Sequence, residues 1–262
     1  MVLEVYMKRN IFCTLIVLLV GGILFAQNKG DMIYQISTLG ALQEGVYDGV
    51  ETIENLLKYG DTGIGTFDGL DGEMIVLNGT CYQVKADGKV YRVAKSVTTP
   101  FTAVSFFDTD QKLQINEPIP NLSSLYDKIL AMLPTKNIPY LIKITGPVSY
   151  VKTRSVPKQQ KPYPRLVEVT KNQPTFEANN IEGTLIGVWL PEYMAGVNMA
   201  GFHMHFLSKD LSFGGHLLEI NMPKATIEID YTYGFQLTLP SKSDFFTTVL
   251  KQDKEELKKI EQ

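Results

Sequence analysis

All three histidines of this 262-residue chain, His203, His205 and His216, fall within one window of fourteen residues, in the stretch "GFHMHFLSKDLSFGGHLLEI". That crowding constrains the local fold more than any other feature of the sequence. His203 and His205 are two apart, and residues i and i+2 share a face in an extended strand. Ser208, Lys209 and Asp210 then suit a turn into a second strand that carries His216. A two-residue loop at Lys209 and Asp210, or a four-residue loop over 208–211, sets His216 opposite His203 and puts all three imidazoles on one face. A three-residue loop would send His216 to the other face, unless a bulge at Gly214 or Gly215 restored the register. Opposed residues have Cβ atoms about 5 Å apart and diagonal ones about 7 to 8 Å, so three ring nitrogens can converge on one ion at about 2.0 to 2.1 Å. The bland alternative is three ordinary histidines on a half-buried sheet, and their H-x-H ligand spacing argues against it.

The first thirty residues differ from the rest. Lys8 and Arg9 precede the apolar run "IFCTLIVLLVGGILF", which is 15 residues long, short of the roughly 20 that a spanning helix needs. The pattern predicts an export signal over residues 1–26, cleaved near Ala26, with an uncleaved anchor as the alternative. Cleavage removes Cys13 and leaves Cys81 alone, so the exported chain has no internal disulfide. The remaining 236 residues are enough for a sizeable core. A net charge of −3 with no Lys/Arg tract argues against nucleic acid as a partner. After signal cleavage no membrane contact is expected either.

Along the chain the period changes several times. Tyr47, Val50, Ile53, Leu56 and Leu57 recur at helical spacing from about Val46 to the stop signal Gly60. "TFDGLDGEMIVLNGTCYQVKADGKVYRVA" predicts a β-meander that turns at Asn78-Gly79 and Asp87-Gly88. A strand follows over 102–107, and a helix starts at the N-cap Asn121, with Leu125, Ile129 and Leu133 on one stripe before Pro134. Two strands, 140–145 and 148–153, precede "SVPKQQKPYPRL", whose prolines mark a boundary. Beyond it "GTLIGVWL", the histidine hairpin and "ATIEIDYTYGFQLTL" alternate as strands do. A tail from Ser241 opens as a helix that Phe245, Phe246, Val249 and Leu250 pack down. The fold class is α+β, with mixed and antiparallel sheets in two closely packed halves, 27–153 and 154–262, and flanking helices. No G-x-G-x-x-G, P-loop or G-x-S-x-G elbow is present.

Three neutral imidazoles leave a divalent ion with its full charge and an open position, the arrangement of a reactive zinc rather than a structural one. Such an ion acts as a Lewis acid or lowers the pKa of its water. Histidines alone do not say which. Two further stretches do. "YGDTGIGTFDGLDGEMIVLNGTCYQ", residues 59–83, resembles the signature of the α-acetolactate decarboxylases, with its G-D-x-G-x-G-T lead-in and L-D-G-E core. "RSVPKQQKPYPRL", from Arg154, resembles the R-x-V-P-x-Q-x-K-P-Y-P segment of the same family, and the histidine hairpin resembles its third motif. Three motifs in order are far more specific than H-x-H alone.

The resemblance implies a Zn2+-dependent homodimer that decarboxylates (S)-2-acetolactate to (R)-acetoin and CO2 through a zinc-chelated enediolate, without an organic cofactor. Glu73 of L-D-G-E matches the family's active-site glutamate, and Arg154 its active-site arginine. Glu261 is the nearest match to a second glutamate close to the C-terminus, with Glu255 and Glu256 as rivals. The planar fork of Arg154 suits the substrate carboxylate, and a glutamate suits delivery of the proton that sets the product's configuration. Without the motifs, Glu73 is a solvated turn residue and Arg154 a surface cation. Asp68 and Asp71 suit turns in a Gly-rich loop, Thr66 is a candidate neighbour of the site, and Cys81 is a buried small apolar group. Two other classes would also use the three histidines. A metal hydrolase of β-sandwich or cupin type would not need Arg154, and an exported zinc-binding protein without turnover would tolerate loss of both Glu73 and Arg154.

Overall fold

The computed structural model describes residues 31–241 and 243–250. In chain order its strands are β1 (Met32–Ile36), β2 (Glu51–Thr52), β3 (Thr62–Thr66), β4 (Glu73–Leu77), β5 (Thr80–Val84), β6 (Val90–Arg92), β7 (Thr98–Thr99), β8 (Thr102–Ser105) and β9 (Gln111–Ile115). There follow β10 (Tyr140–Arg154), β11 (Thr175–Leu190), β12 (Gly201–Ser208), β13 (Gly214–Asn221), β14 (Ala225–Tyr231) and β15 (Gly234–Thr238). The α-helices are α1 (Leu39–Gln43), α2 (Ile53–Leu56), α3 (Leu122–Met132) and α4 (Leu166–Thr170). A seven-stranded sheet has the order β15-β1-β8-β3-β4-β5-β6, with β1 and β15 parallel and its other ladders antiparallel. A six-stranded antiparallel sheet has the order β11-β12-β13-β10-β14-β9. Because β10 also pairs with β11, strands β10 to β13 close on themselves.

Strand alternation decides what lies between the sheets. Along β4, Met74 and Val76 turn outward into a cluster with Ile53, Leu56 and Cys81. Ile75 points the other way, against Ile186 and Leu207 of the six-stranded sheet, and Glu73 shares the face of Ile75. Along β12, Met204 and Phe206 pack into the six-stranded sheet's own core with Leu125 and Ile129 of α3. His203, His205 and Leu207 are therefore left facing the first sheet.

Local signals place the supports. Asn121 caps α3 by accepting a hydrogen bond from Ser124 N at 2.8 Å, an arrangement worth about 1 kcal/mol. Leu125 and Ile129 are fully buried on its apolar stripe. The meander forms as predicted, with Asn78 and Gly79 at φ 50° and 72°, the left-handed pair of a tight hairpin.

Three expectations differ. The helix expected from Val46 is instead extended chain, including β2, followed by the one short helix α2. Its backbone bonds go elsewhere: Val50 N donates to Thr99 O at 3.0 Å and Ile53 N to Val97 O at 2.9 Å. The apolar spacing still buries Tyr47, Ile53 and Leu56, but β2 pairs with β7 rather than coiling. Secondly, the strands expected at 140–145 and 148–153 are one strand, β10. Pro147 lies opposite the gap where β10 passes from pairing with β14, up to Thr145, to pairing with β13, from Tyr150. A residue without an N–H is tolerated there. Thirdly, the sheets do not divide at 153/154. Strands β9 and β10 precede that point yet belong to the six-stranded sheet, and β15 returns to the seven-stranded one. The tail begins with a 3-10 turn at Ser243–Phe246, and the rest of its expected helix lies outside the described residues, as does the expected signal at 1–26.

One buried acid makes the sheet junction pH-sensitive. Asp230 of β14 is opposite Leu141, which belongs to the cluster between the sheets. Its side chain is fully buried, with Oδ2 accepting from Asp108 N at 3.3 Å. Burial, reinforced by the charges of Asp110, Asp31 and Asp108, pushes its pKa up to about 8. In the unfolded chain the same carboxyl ionises near 4. Between those values the native state holds a proton that the unfolded state has lost, so this group's contribution to stability falls as pH rises from about 4 to about 8 and then levels. Asp230→Asn is expected to raise Tm at pH 8 and to flatten that decline. An unchanged Tm–pH profile in thermal melts would contradict the assignment.

Candidate metal centre and active site

The hairpin that carries the histidines closes through a four-residue loop, 209–212, since Ser208 N donates to Phe213 O at 2.8 Å. Ser208 Oγ organises the loop, accepting from Phe213 N at 2.9 Å and donating to Asp210 Oδ1 at 2.7 Å. The loop is one residue further along than the 208–211 expected. His216 is consequently opposite His205, and His203 is its diagonal neighbour. A shift by an even number of positions keeps the face, so all three rings still meet. Their centroids are 5.0 to 5.4 Å apart, and one nitrogen from each lies within 4.8 Å of the others. Gly215 lets the hairpin lie against β10. At φ 132° it adopts backbone that side chains rarely take, and a Cβ there would meet Arg154 O at 2.5 Å.

His205 is fully buried, His216 nearly so, and His203 half-buried. His205 Nδ1 lies 2.9 Å from Met74 O across the sheet interface. A carbonyl only accepts, so Nδ1 carries the proton and Nε2 keeps the lone pair a metal needs. That nitrogen is 3.4 Å from Glu73 Oε2. Donor type, convergence and tautomer all fit a divalent ion of the zinc kind.

Glu73 begins β4 opposite Thr66. Gly72 puts it there: at φ 83° it turns so tightly that a Cβ would meet Val84 O at 2.2 Å. Thr66 Oγ1 donates to Gly72 O at 2.7 Å, fastening the same corner. Arg154 ends β10 directly opposite His216, which brings the two side chains to one face. It is 4% exposed, and its Nη1 donates to Gln173 Oε1 at 2.8 Å.

These residues meet in one cavity. Thr66, Glu73, Arg154, His203 and His216 form its polar side, and Leu39, Leu42, Leu70, Phe101, Val156 and Leu166 its apolar side. The proline-rich segment supplies Val156, and α4 after it supplies Leu166. Lys161 pairs with Asp48 at 2.6 Å and Arg165 with Glu44 at 2.9 Å, tying that segment to the loop after α1. A wider groove, about 720 Å³, runs past Gln114, Lys209 and Lys224 and holds none of the site residues.

The turn residues stay turn residues. Asp68 accepts from Gly49 N at 2.8 Å, and Asp71 pairs with Lys85 at 3.1 Å. Cys81 is buried, and burial pushes its thiol up to about 12, so it is inert. Glu261, with Glu255 and Glu256, lies outside the described residues. Sequence reasoning missed Gln173 and the Met74 carbonyl. Gln173 sits in a polar turn with nothing in its spacing to mark it, and a backbone carbonyl has no residue signature.

What the fold and cavity define is a class: a protein with three converging histidines, able to hold a metal ion, beside a cavity where two sheets meet. The family model described as alpha-acetolactate decarboxylase matches residues 33–252. An alpha-acetolactate decarboxylase of Methanosarcina mazei is 45% identical over 90% of this chain and 82% of its own length. One from Methylococcus capsulatus is 42% identical over 88% of this chain and 92% of its own. The crystal structure of the Bacillus subtilis strain 168 alpha-acetolactate decarboxylase superposes with a TM-score of 0.85 at 36% identity, covering 88% of this chain and 99% of that one. The chain belongs to the α-acetolactate decarboxylase family. Neither the hydrolase nor the zinc-carrier alternative accounts for that membership.

The geometry predicts that the folded protein retains about one divalent ion per chain through His203, His205 and His216. Metal analysis of the dialysed protein checks this. Near-stoichiometric metal in a folded variant with all three changed to alanine would contradict it.

Proposed function

We propose that the chain decarboxylates (S)-2-acetolactate to (R)-acetoin and CO2 in a Zn2+-dependent reaction. The observation that carries the proposal is that Arg154, Glu73, His203 and His216 line one cavity, with His205 Nε2 3.4 Å from Glu73 Oε2. When bound, the ion would supply Lewis acidity toward the oxygens of a 2-hydroxy-3-keto acid. The rest falls to the chain's own groups. Arg154 would grip the departing carboxylate at two points. Loss of CO2 leaves an electron pair on the carbon beside the ketone, and Glu73 would hold the proton that quenches it from one face. The apolar wall of Leu39, Leu42, Leu70 and Phe101 would take the substrate's methyl groups and keep water from protonating the opposite face.

Glu261 is kept in the proposal as a second acid from the tail, by its position in the sequence alone. Export is proposed from Lys8, Arg9 and the apolar run that follows, and a homodimer from the family resemblance.

Glu73→Gln keeps size and removes the acid. The folded variant is expected to retain metal and lose at least about a hundredfold in acetoin formation, since general acid–base contributions run to about 10² to 10⁴. Its product should also lose chirality. Full activity with intact chirality would place the proton donor elsewhere. Arg154→Lys is expected to keep metal and lose most of its kcat/KM, because a point charge does not reproduce the planar grip. An unchanged kcat/KM would reject that role.

A further inference from the structure

Arg154 is a charged side chain of the cavity wall whose hydrogen-bond partner is neutral. Its Nη1 donates to Gln173 Oε1 at 2.8 Å, and it forms no ion pair with any described residue. Nη1 lies on the Cδ side of the guanidinium, so this bond leaves the other edge, Nε with Nη2, whole. Nε is buried and has no hydrogen-bond partner among the described residues. A buried N–H without a partner is costly, and the Nε–Nη2 edge has the spacing that matches two carboxylate oxygens.

Gln173 is itself held in place. It sits in the turn between α4 and β11, where Gln173 N donates to Thr170 O at 3.5 Å and the next residue's carbonyl, Pro174 O, accepts from Ser155 N at 3.3 Å. That second bond ties the turn to the residue after Arg154. The turn and the arginine thus move together. Thr170, at the end of α4, also lines the cavity.

The chemistry of the partner matters as much as its place. A carboxylate at position 173 would orient Arg154 equally well, but it would also neutralise the charge the substrate needs, and buried ion pairs are hard to break. An amide oxygen accepts a hydrogen bond and leaves the charge intact. We propose that Gln173 is a positioning residue that holds Arg154 by its rear nitrogen and presents the free edge, with its full positive charge, to an α-hydroxy carboxylate. The proposal rests on the carboxylate-binding role given to Arg154 above.

The test compares inhibition by 2-hydroxy-2-methylpropanoate with inhibition by the uncharged 2-methylpropane-1,2-diol in metal-loaded wild type, Gln173→Glu, Gln173→Met and Arg154→Met. The ratio of the two inhibition constants reads the site's preference for the carboxylate. Gln173→Glu is expected to reduce that ratio at least about tenfold and to raise substrate KM about as much, with kcat changed less than about threefold. Gln173→Met, which keeps length and cannot accept a strong hydrogen bond, is expected to reduce the ratio by about threefold to tenfold and serves if the glutamate variant does not fold. If Arg154→Met abolishes the preference while both Gln173 variants keep the wild-type ratio and KM, the positioning role is overturned and the reading of Arg154 stands. If Arg154→Met itself leaves the ratio unchanged, the reading of Arg154 fails and the proposal fails with it.

Discussion

Everything at the site depends on which face of the β12–β13 hairpin is turned toward the first sheet. Met204 and Phe206 are committed to the core beneath α3, so period-two alternation sends His203 and His205 the other way. The hairpin is held there by packing of Leu207 against Ile64 and Ile75 and by the bond from His205 Nδ1 to Met74 O. This one contact across the interface fixes the ring's tautomer as well as its position. A slip of one residue in β12 would bury methionine and phenylalanine at the junction and bring the imidazoles into an apolar core.

From that face the rest of the cavity follows by register. Pairing with β13 sets Arg154 beside His216. Pairing of β3 with β4 sets Thr66 beside Glu73. Two glycines make the approach possible, Gly215 against the Arg154 carbonyl and Gly72 against the Val84 carbonyl. The site is therefore assembled from strand ends belonging to both sheets, roofed by a proline-rich segment whose apolar residues matter more than its exposed ion pairs. An exposed pair such as Lys161 with Asp48 contributes little to stability. Burial of Val156 and Leu166 against Leu39 and Phe101 contributes more.

Much of this was legible in the sequence, for reasons that differ by residue. The shared face of the histidines was legible because strand alternation depends only on parity, which is also why the two-position error in pairing His216 did no harm. The meander was legible because Asn78-Gly79 and Asp87-Gly88 carry their turn chemistry locally. The motifs around Arg154 and Glu73 singled out two residues that do line the cavity beside the histidines, whereas from residue type alone each would have passed for surface charge. Tyr47 to Leu57 misled because helical spacing buries the same side chains as the extended chain and single short helix that form. Only the distant partner strand β7 decides between them. Gln173 was invisible because its importance lies in a contact with a residue 19 positions away.

The central claim is that this histidine-lined cavity carries out the family's reaction. The most direct measurement incubates the metal-loaded protein with racemic 2-acetolactate and follows CO2 and the enantiomers of acetoin together. The account predicts equimolar CO2 and acetoin, formed well above the uncatalysed rate and enriched in the R enantiomer. A folded, metal-loaded protein that forms acetoin no faster than the protein-free control would contradict it.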